Sequence, residues 1–220
     1  VQIIRPILRG RDIKRYVYEW AGKWVINTHN GYKDEDITIS PINIKDYPRL
    51  KLHLDSFWSE ISKRSDKGHT PYNLRHCAYM SEFNRQKIVY SEIVQSPQFY
   101  LDKNNFYAEA TSFILTGNFL EYLIGMLHSK LLAFAFKNFY AGGGLGEKGY
   151  RYKKAFLELL PIPKITESKQ QEFVKIVNEI LESKAKNQDA KALQEVLDKM
   201  VYTLYNLNDK EIELIESSFN

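Results

Sequence analysis

The 220-residue sequence contains a single cysteine, Cys77. That excludes a disulfide framework and fits a reducing compartment such as the cytoplasm. No second Cys/His pair stands near His76-Cys77, and the five histidines (29, 53, 69, 76 and 128) are scattered, so zinc-ligand spacing is missing. There is no initiator methionine, signal peptide or targeting motif. A start at Val1, inside an apparent strand, reads as a piece of a longer chain. Phe119–Phe136 is the one run that could be mistaken for a membrane span, but Glu121, His128 and Lys130 interrupt it. A buried helix is the better reading, and no membrane partner is expected. Repeats and low-complexity tracts are absent as well.

What is present is a globular composition, 14% aromatic, with a net charge of +4 that is unevenly placed. Residues 1–164 carry 24 Lys/Arg against 16 Asp/Glu, whereas residues 165–220 carry 7 against 11. A basic body with an acidic tail points to a polyanionic partner for the body. The expected organisation is therefore a first domain over 1–164 and a helical appendage over 165–220.

Along the chain, residues 3–8 read as an edge strand containing Pro6, and Trp24–Ile26 as a second strand. Tyr47-Pro48 opens a helix with Leu50, Leu54, Phe57, Trp58 and Ile61 at helical spacing, ending near Lys63-Arg64. Leu74–Tyr79, Lys87–Val94, Phe99-Tyr100 and Thr111–Thr116 read as short strands. The central helix then runs from Phe119 to Phe136, with Asn118 as N-cap and Glu121 as its capping-box partner. A glycine-rich loop, residues 142–149, leads to Tyr150-Arg151-Tyr152-Lys153-Lys154 and the stiff exit Leu160-Pro161-Ile162-Pro163. Beyond it, two amphipathic stripes (Phe173 to Leu181, and Leu193 to Leu204) predict a helical hairpin, and a last helix starts at Asn208-Asp209. The fold class is α+β: mixed strands around a central buried helix, followed by a C-terminal helical hairpin.

No catalytic constellation stands out. The glycines follow a helix instead of preceding one and lack a Gly-Lys-Ser/Thr ending, so a phosphate-cradling loop is not supported. Glu167-Ser-Lys169 and Glu182-Ser-Lys184 read as solvated pairs on helix faces. Catalytic and metal-binding residues are expected to be absent from this stretch. Basic and aromatic interleaving is the richer signal. Lys63, Arg64, Lys67, Tyr72, Arg75, His76, Asn84 and Arg85 bring donors for phosphates and base edges into one stretch. Lys148, Tyr150, Arg151, Lys153 and Lys154 repeat the theme beside the glycine loop, and Arg9 and Arg11 near the start. Solubilising surface charge around core tyrosines is the competing explanation. A protein-interaction module built on the acidic helix pair, an enzyme in its own right such as a nuclease, and an RNA binder are rivals.

The order of features resembles a known family. Arg5-Pro6-Ile7-Leu8-Arg9-Gly10-Arg11-Asp12-Ile13, Tyr47-Pro48 leading to Lys63-Arg64, and Lys87-Ile88-Val89-Tyr90 are similar to the TaqI-like C-terminal specificity domain. Leu127-His128-Ser129-Lys130-Leu131, Leu160-Pro161-Ile162-Pro163, and the tail from Leu197 to Ile212 extend the likeness over nearly the whole chain. Two positions depart from it: His128 stands where the family commonly has Asn, and Tyr72 near where it has Trp. The resemblance implies a target-recognition domain of a type II restriction–modification enzyme that binds double-stranded DNA. It also implies an upstream methyltransferase domain, with S-adenosylmethionine bound there, that flips adenine out for N6 methylation; fused relatives also cleave. The chain itself lacks the Asn/Asp-Pro-Pro-Tyr motif and a cofactor loop, so no cofactor is expected within it. The helix pair at 168–206 resembles the spacer helices of type I specificity subunits; a hairpin closing the core is the alternative.

Overall fold

A computed structural model describes residues 3–141 and 149–219. The fold is α+β, and chain contacts divide it into two compact units. The first comprises residues 1–7, 22–86 and 104–107; the second comprises 8–21, 87–103 and 108–220. The C-terminal helices thus fall in the same unit as the central helix.

The first unit is built from short strands and loops. Strand β1 (Ile4–Leu8) pairs antiparallel with β2 (Trp24–Ile26), Pro6 opposite Trp24, and β8 (Tyr107–Ala108) lies on its other side. The expected edge strand is therefore the middle one. Proline is tolerated there because Ile7 N–H donates to Lys23 O, which turns Pro6 nitrogen away from β2, and β8 is only two residues long. A hairpin follows, β3 (Tyr32–Asp34) with β4 (Ile37–Ile39). Helix α1 (Pro48–Asp55) begins on its proline as expected, since N1 needs no N–H, and a break at Ser56-Phe57 separates it from α2 (Trp58–Ile61). Neither helix buries a single residue fully. The expected strand over 74–79 is absent. Leu74 N–H is taken by Thr28 O, Leu74 makes one isolated bridge with Lys67, and the backbone then turns into a 3₁₀ turn at Met80–Asn84. Phe83 of that turn stacks on Tyr107 at 4.5 Å between centroids.

The second unit has a conventional core. Strand β5 (Lys87–Ser91), all five residues buried, lies between β7 (Phe99–Asp102) and β9 (Ser112–Leu115). Lys87 faces Asp102 across the ladder, and the two meet at 2.5 Å with no exposed side-chain surface. A separate antiparallel pair joins β6 (Ile93–Val94) to β10 (Tyr150–Arg151), with Tyr150 opposite Val94. The central helix is not continuous. It divides into α3 (Leu120–His128) and α4 (Lys130–Ala135), then widens into a π turn at Phe136–Tyr140. Ser129 causes the break: its backbone is extended (φ −65°, ψ 149°) and its Oγ accepts from Leu132 N–H, restarting the helix. The start also differs from expectation. Asn118 caps nothing; Phe119, in the left-handed region (φ 60°), is the N-cap and offers no side-chain bond.

Helices α6 (Glu167–Ala185) and α7 (Lys191–Leu204) form the expected hairpin, and α8 (Asp209–Ser217) starts from the capping box Asn208/Glu211. The apolar stripe of α6, Phe173, Val177 and Ile180, is buried in the core with Ile124 and Leu127 of α3. Approach of the two helices requires Gly125, where a Cβ would stand 2.6 Å from Val177 Cγ2. His128, 1% exposed, joins helix to sheet. Arg15 Nη1 donates to its Nδ1 at 3.3 Å, so Nε2 carries the proton and donates to Phe99 O at 2.9 Å. Burial, with the Arg15 charge beside it, holds the imidazole neutral, well below its usual pKa.

Candidate nucleic-acid interface

In the first unit the candidate residues cluster on the segment after α2. Arg64 Nη2 donates to Pro71 O (3.1 Å) and Asn73 O (2.9 Å), closing a loop over 65–73. Buried Asn73 donates to Ile42 O (2.9 Å) and accepts from Thr70 Oγ1 (2.6 Å). Asn30 Oδ1 accepts from His69 N–H at 2.8 Å. Gly68 is required at the crossing, because a Cβ would come within 2.5 Å of Asn30 Oδ1 and of Leu74 O. Side chains that bind main-chain groups therefore hold the loop, leaving its outer residues to solvent. Lys63, Lys67, Arg75 and His76 are exposed, Lys67 also donating to Ser62 O at 2.8 Å. Asp66 is the single acid among the four Lys/Arg of residues 63–76.

Tyr72 is half-buried and oriented from beneath. Its hydroxyl donates to Asp55 Oδ1 at 2.6 Å, Lys51 donates to Asp55 Oδ2 at 2.7 Å, and its ring lies against Trp58. The Lys51 bond, with that of Tyr72, holds the Asp55 carboxyl below its ordinary range. Asn84 is exposed on the 3₁₀ turn. Arg85 beside it is already engaged by Asp34 (3.0 Å), Glu35 (3.1 Å) and Glu82 (3.4 Å), so its charge is largely neutralised where it stands.

In the second unit the cations are less free. Arg9 grips Asp12 through Nε (3.0 Å) and Nη2 (2.7 Å). Burial alone would raise the Asp12 carboxyl, but the bonds and charge of Arg9 outweigh it and leave it lowered. Arg9 is thus a local clamp. Arg11 is exposed and lines a hollow with Arg9, Glu92 and Glu109. Arg151, half-buried, reaches to 3.8 Å from Glu92. Tyr150 is not a surface residue: it is 4% exposed and packs on Phe136 and Tyr152, since alternate residues of this strand point into the core. Lys153 and Lys154 are exposed around the start of helix α5 (Lys154–Leu157), and Lys154 pairs loosely with Glu158 at 3.6 Å. Lys148 and the glycines of the loop before it lie outside the described residues.

Some exposed groups were not singled out from sequence. Trp24 is 56% exposed in the first unit, and Phe139 is 73% exposed on the π turn beside exposed Lys137. Phe139 lies just past the run Phe119–Phe136 read as a buried helix, and the polar pair Lys137-Asn138 ahead of it signals that the buried face has ended. Among the described residues no group of His, Cys, Asp and Glu could hold a metal ion, and no helix is long and apolar enough to cross a membrane.

Residues 5–162 match the family model of the TaqI-like C-terminal specificity domain. The type II methyltransferase M.BstVI of Geobacillus stearothermophilus is 27% identical over 225 aligned residues, which cover 99% of this chain and 36% of that protein. The chain therefore spans about a third of the length of this relative. With the family model covering well over half of its residues, from β1 to the Leu160–Pro163 exit, the chain belongs to the TaqI-like C-terminal specificity domain family.

Proposed function

We propose that this chain is the DNA target-recognition part of a restriction–modification methyltransferase, binding duplex DNA and reading base edges in the major groove. Membership of a specificity-domain family supports the reading, as does likeness to a type II methyltransferase that extends well beyond the matched stretch. The observation that carries it is the loop over 62–76. Its backbone is fixed from within by Arg64, Asn73 and Asn30, while Lys63, Lys67, Arg75 and His76 stand exposed at its rim. A fixed frame with exposed cationic tips suits a polyanion that must be held in one register. In this reading Lys63, Lys67, Arg11, Lys153 and Lys154 meet phosphates, and Arg75, His76 and Asn84 reach base edges. Arg9 and Arg85 act as supports because their charges are occupied.

The methylated base is adenine at N6, and the methyl donor S-adenosylmethionine binds in a catalytic domain upstream, which this domain holds against the duplex. Cleavage belongs to that longer polypeptide where a nuclease is fused to it. The deciding experiment is enrichment of duplexes from a randomised pool with the intact protein. Arg75→Ala is expected to relax the preference at one base pair at a cost of about 1–3 kcal/mol, whereas Lys153→Ala weakens all sequences alike. Uniform loss from both substitutions rejects base reading by Arg75.

A further inference from the structure

The first unit carries an apolar trough of about 400 Å³, lined by Ile7 and Val25 of the sheet, Leu54 and Ile61 of α1 and α2, and Pro71 and Leu74 of the pinned loop. Arg64 stands in its wall. Both bonds of its Nη2, to Pro71 O and Asn73 O, hold the guanidinium plane in place, and Nη1 has no partner among the described residues. The trough thus pairs an apolar surface, to which Trp24 and Tyr72 also contribute, with the pre-oriented guanidinium of Arg64. The loop forming that wall carries the exposed cations Lys63, Lys67 and Arg75, which match a phosphate backbone passing alongside. In the major groove only thymine presents a methyl group next to a carbonyl acceptor; cytosine offers a donor, guanine two acceptors and adenine a donor beside an acceptor.

We infer that this trough receives the methyl edge of one thymine of the target, with Arg64 Nη1 donating to its O4. This rests on the DNA-recognition reading and assigns to it a specificity element that the exposed cations do not supply. Arg64, by sequence one of several donors for phosphates and base edges, becomes a base-reading residue. Leu54 and Ile61, core residues by helical spacing, become the wall of a site.

The test uses the intact protein and the duplex it enriches, with each thymine replaced in turn by deoxyuridine, which keeps pairing and loses only the methyl. One position is expected to weaken binding about fourfold, the worth of a single buried methyl. At that position a 5-methylcytosine·guanine pair, which keeps the methyl and turns O4 into an amine, is expected to weaken binding about tenfold, because two donors then face each other. Leu54→Phe fills the trough; it is expected to abolish the thymine/uracil difference while thermal melting stays unchanged. Ile61→Phe provides a second filling should the first alter melting. Sequence-specific binding with no uracil-sensitive position overturns the inference and leaves DNA recognition standing. So does acceptance of 5-methylcytosine, or a uracil effect that survives in a trough-filled, normally melting variant. A pool that yields no enriched duplex overturns the recognition reading and this inference with it.

Discussion

The two units place their polar side chains differently. In the first, Arg64, Asn73, Asn30 and Thr28 hold main-chain groups of a loop, and α1 and α2 have no fully buried residue. In the second, polar groups are sunk into an apolar core: Lys87 against Asp102 in the sheet, His128 against Phe99 O, Asp198 against Lys130 N–H at the helix break. The difference teaches where each unit tolerates change. A loop fixed through its backbone leaves its outer side chains open to substitution, whereas a core with buried charges fails when one partner is removed.

Asp102→Ala should break the second unit most severely. It leaves the Lys87 ammonium buried without its carboxylate, and a loss of about 3–5 kcal/mol in denaturant unfolding is expected. The double change Lys87→Met with Asp102→Leu should recover most of it; failure to recover would mean that the pair is not the cause. Asn73→Ala tests the first unit. Losing its bonds to Ile42 O and Thr70 Oγ1 should cost about 1–3 kcal/mol, and loosen the loop before the rest of the chain, seen as faster amide exchange over 65–74.

Asp198→Asn gives a smaller effect that appears only with pH. Burial raises the Asp198 carboxyl from 3.8 to about 6, despite the Lys130 N–H it accepts. The folded state then holds the proton more tightly than the unfolded state. Its contribution is present below pH 3.8 and is lost as pH rises towards 6. His128 works in the opposite sense: its pKa is depressed, so stability is lost as pH falls below 6.5. The difference in stability between wild type and Asp198→Asn isolates the first effect, and a curve with no slope between these values would refute it. Smallest of all is Lys154→Ala. An exposed pair with Glu158 contributes less than about 0.5 kcal/mol, so the melting temperature should hardly move while DNA affinity falls.

Much of the second unit was legible from periodicity. The stripes of α6 and α7, the helix start at Asn208 and the strand from Lys87 follow from rules that act over a few residues. Ser129 was not legible, because one serine in an apolar run becomes a helix break only through contacts made elsewhere, here Asp198 at Lys130 N–H. Leu74 to Tyr79 reads as a short strand from sequence, yet the backbone at Leu74 is claimed by Thr28, 46 positions earlier. Among the site residues, sequence identified the charged segment but not which charges were occupied. Arg9, Arg64 and Arg85 look equivalent to Arg11 and Arg75 until their acceptors are seen. Tyr150 shows the same limit for aromatics: alternation placed it on the same side as Tyr152, and only the core decides which side is inward.

Gly68 and the asparagines on either side of it act as the frame in which movable type is set. Since the main chain is locked at Asn30, Asn73 and Arg64, the letters at positions 67, 69, 75 and 76 can be exchanged without recasting the plate. On the proposed reading, a change of target then needs only single substitutions at positions 75 and 76, each inherited with the frame intact.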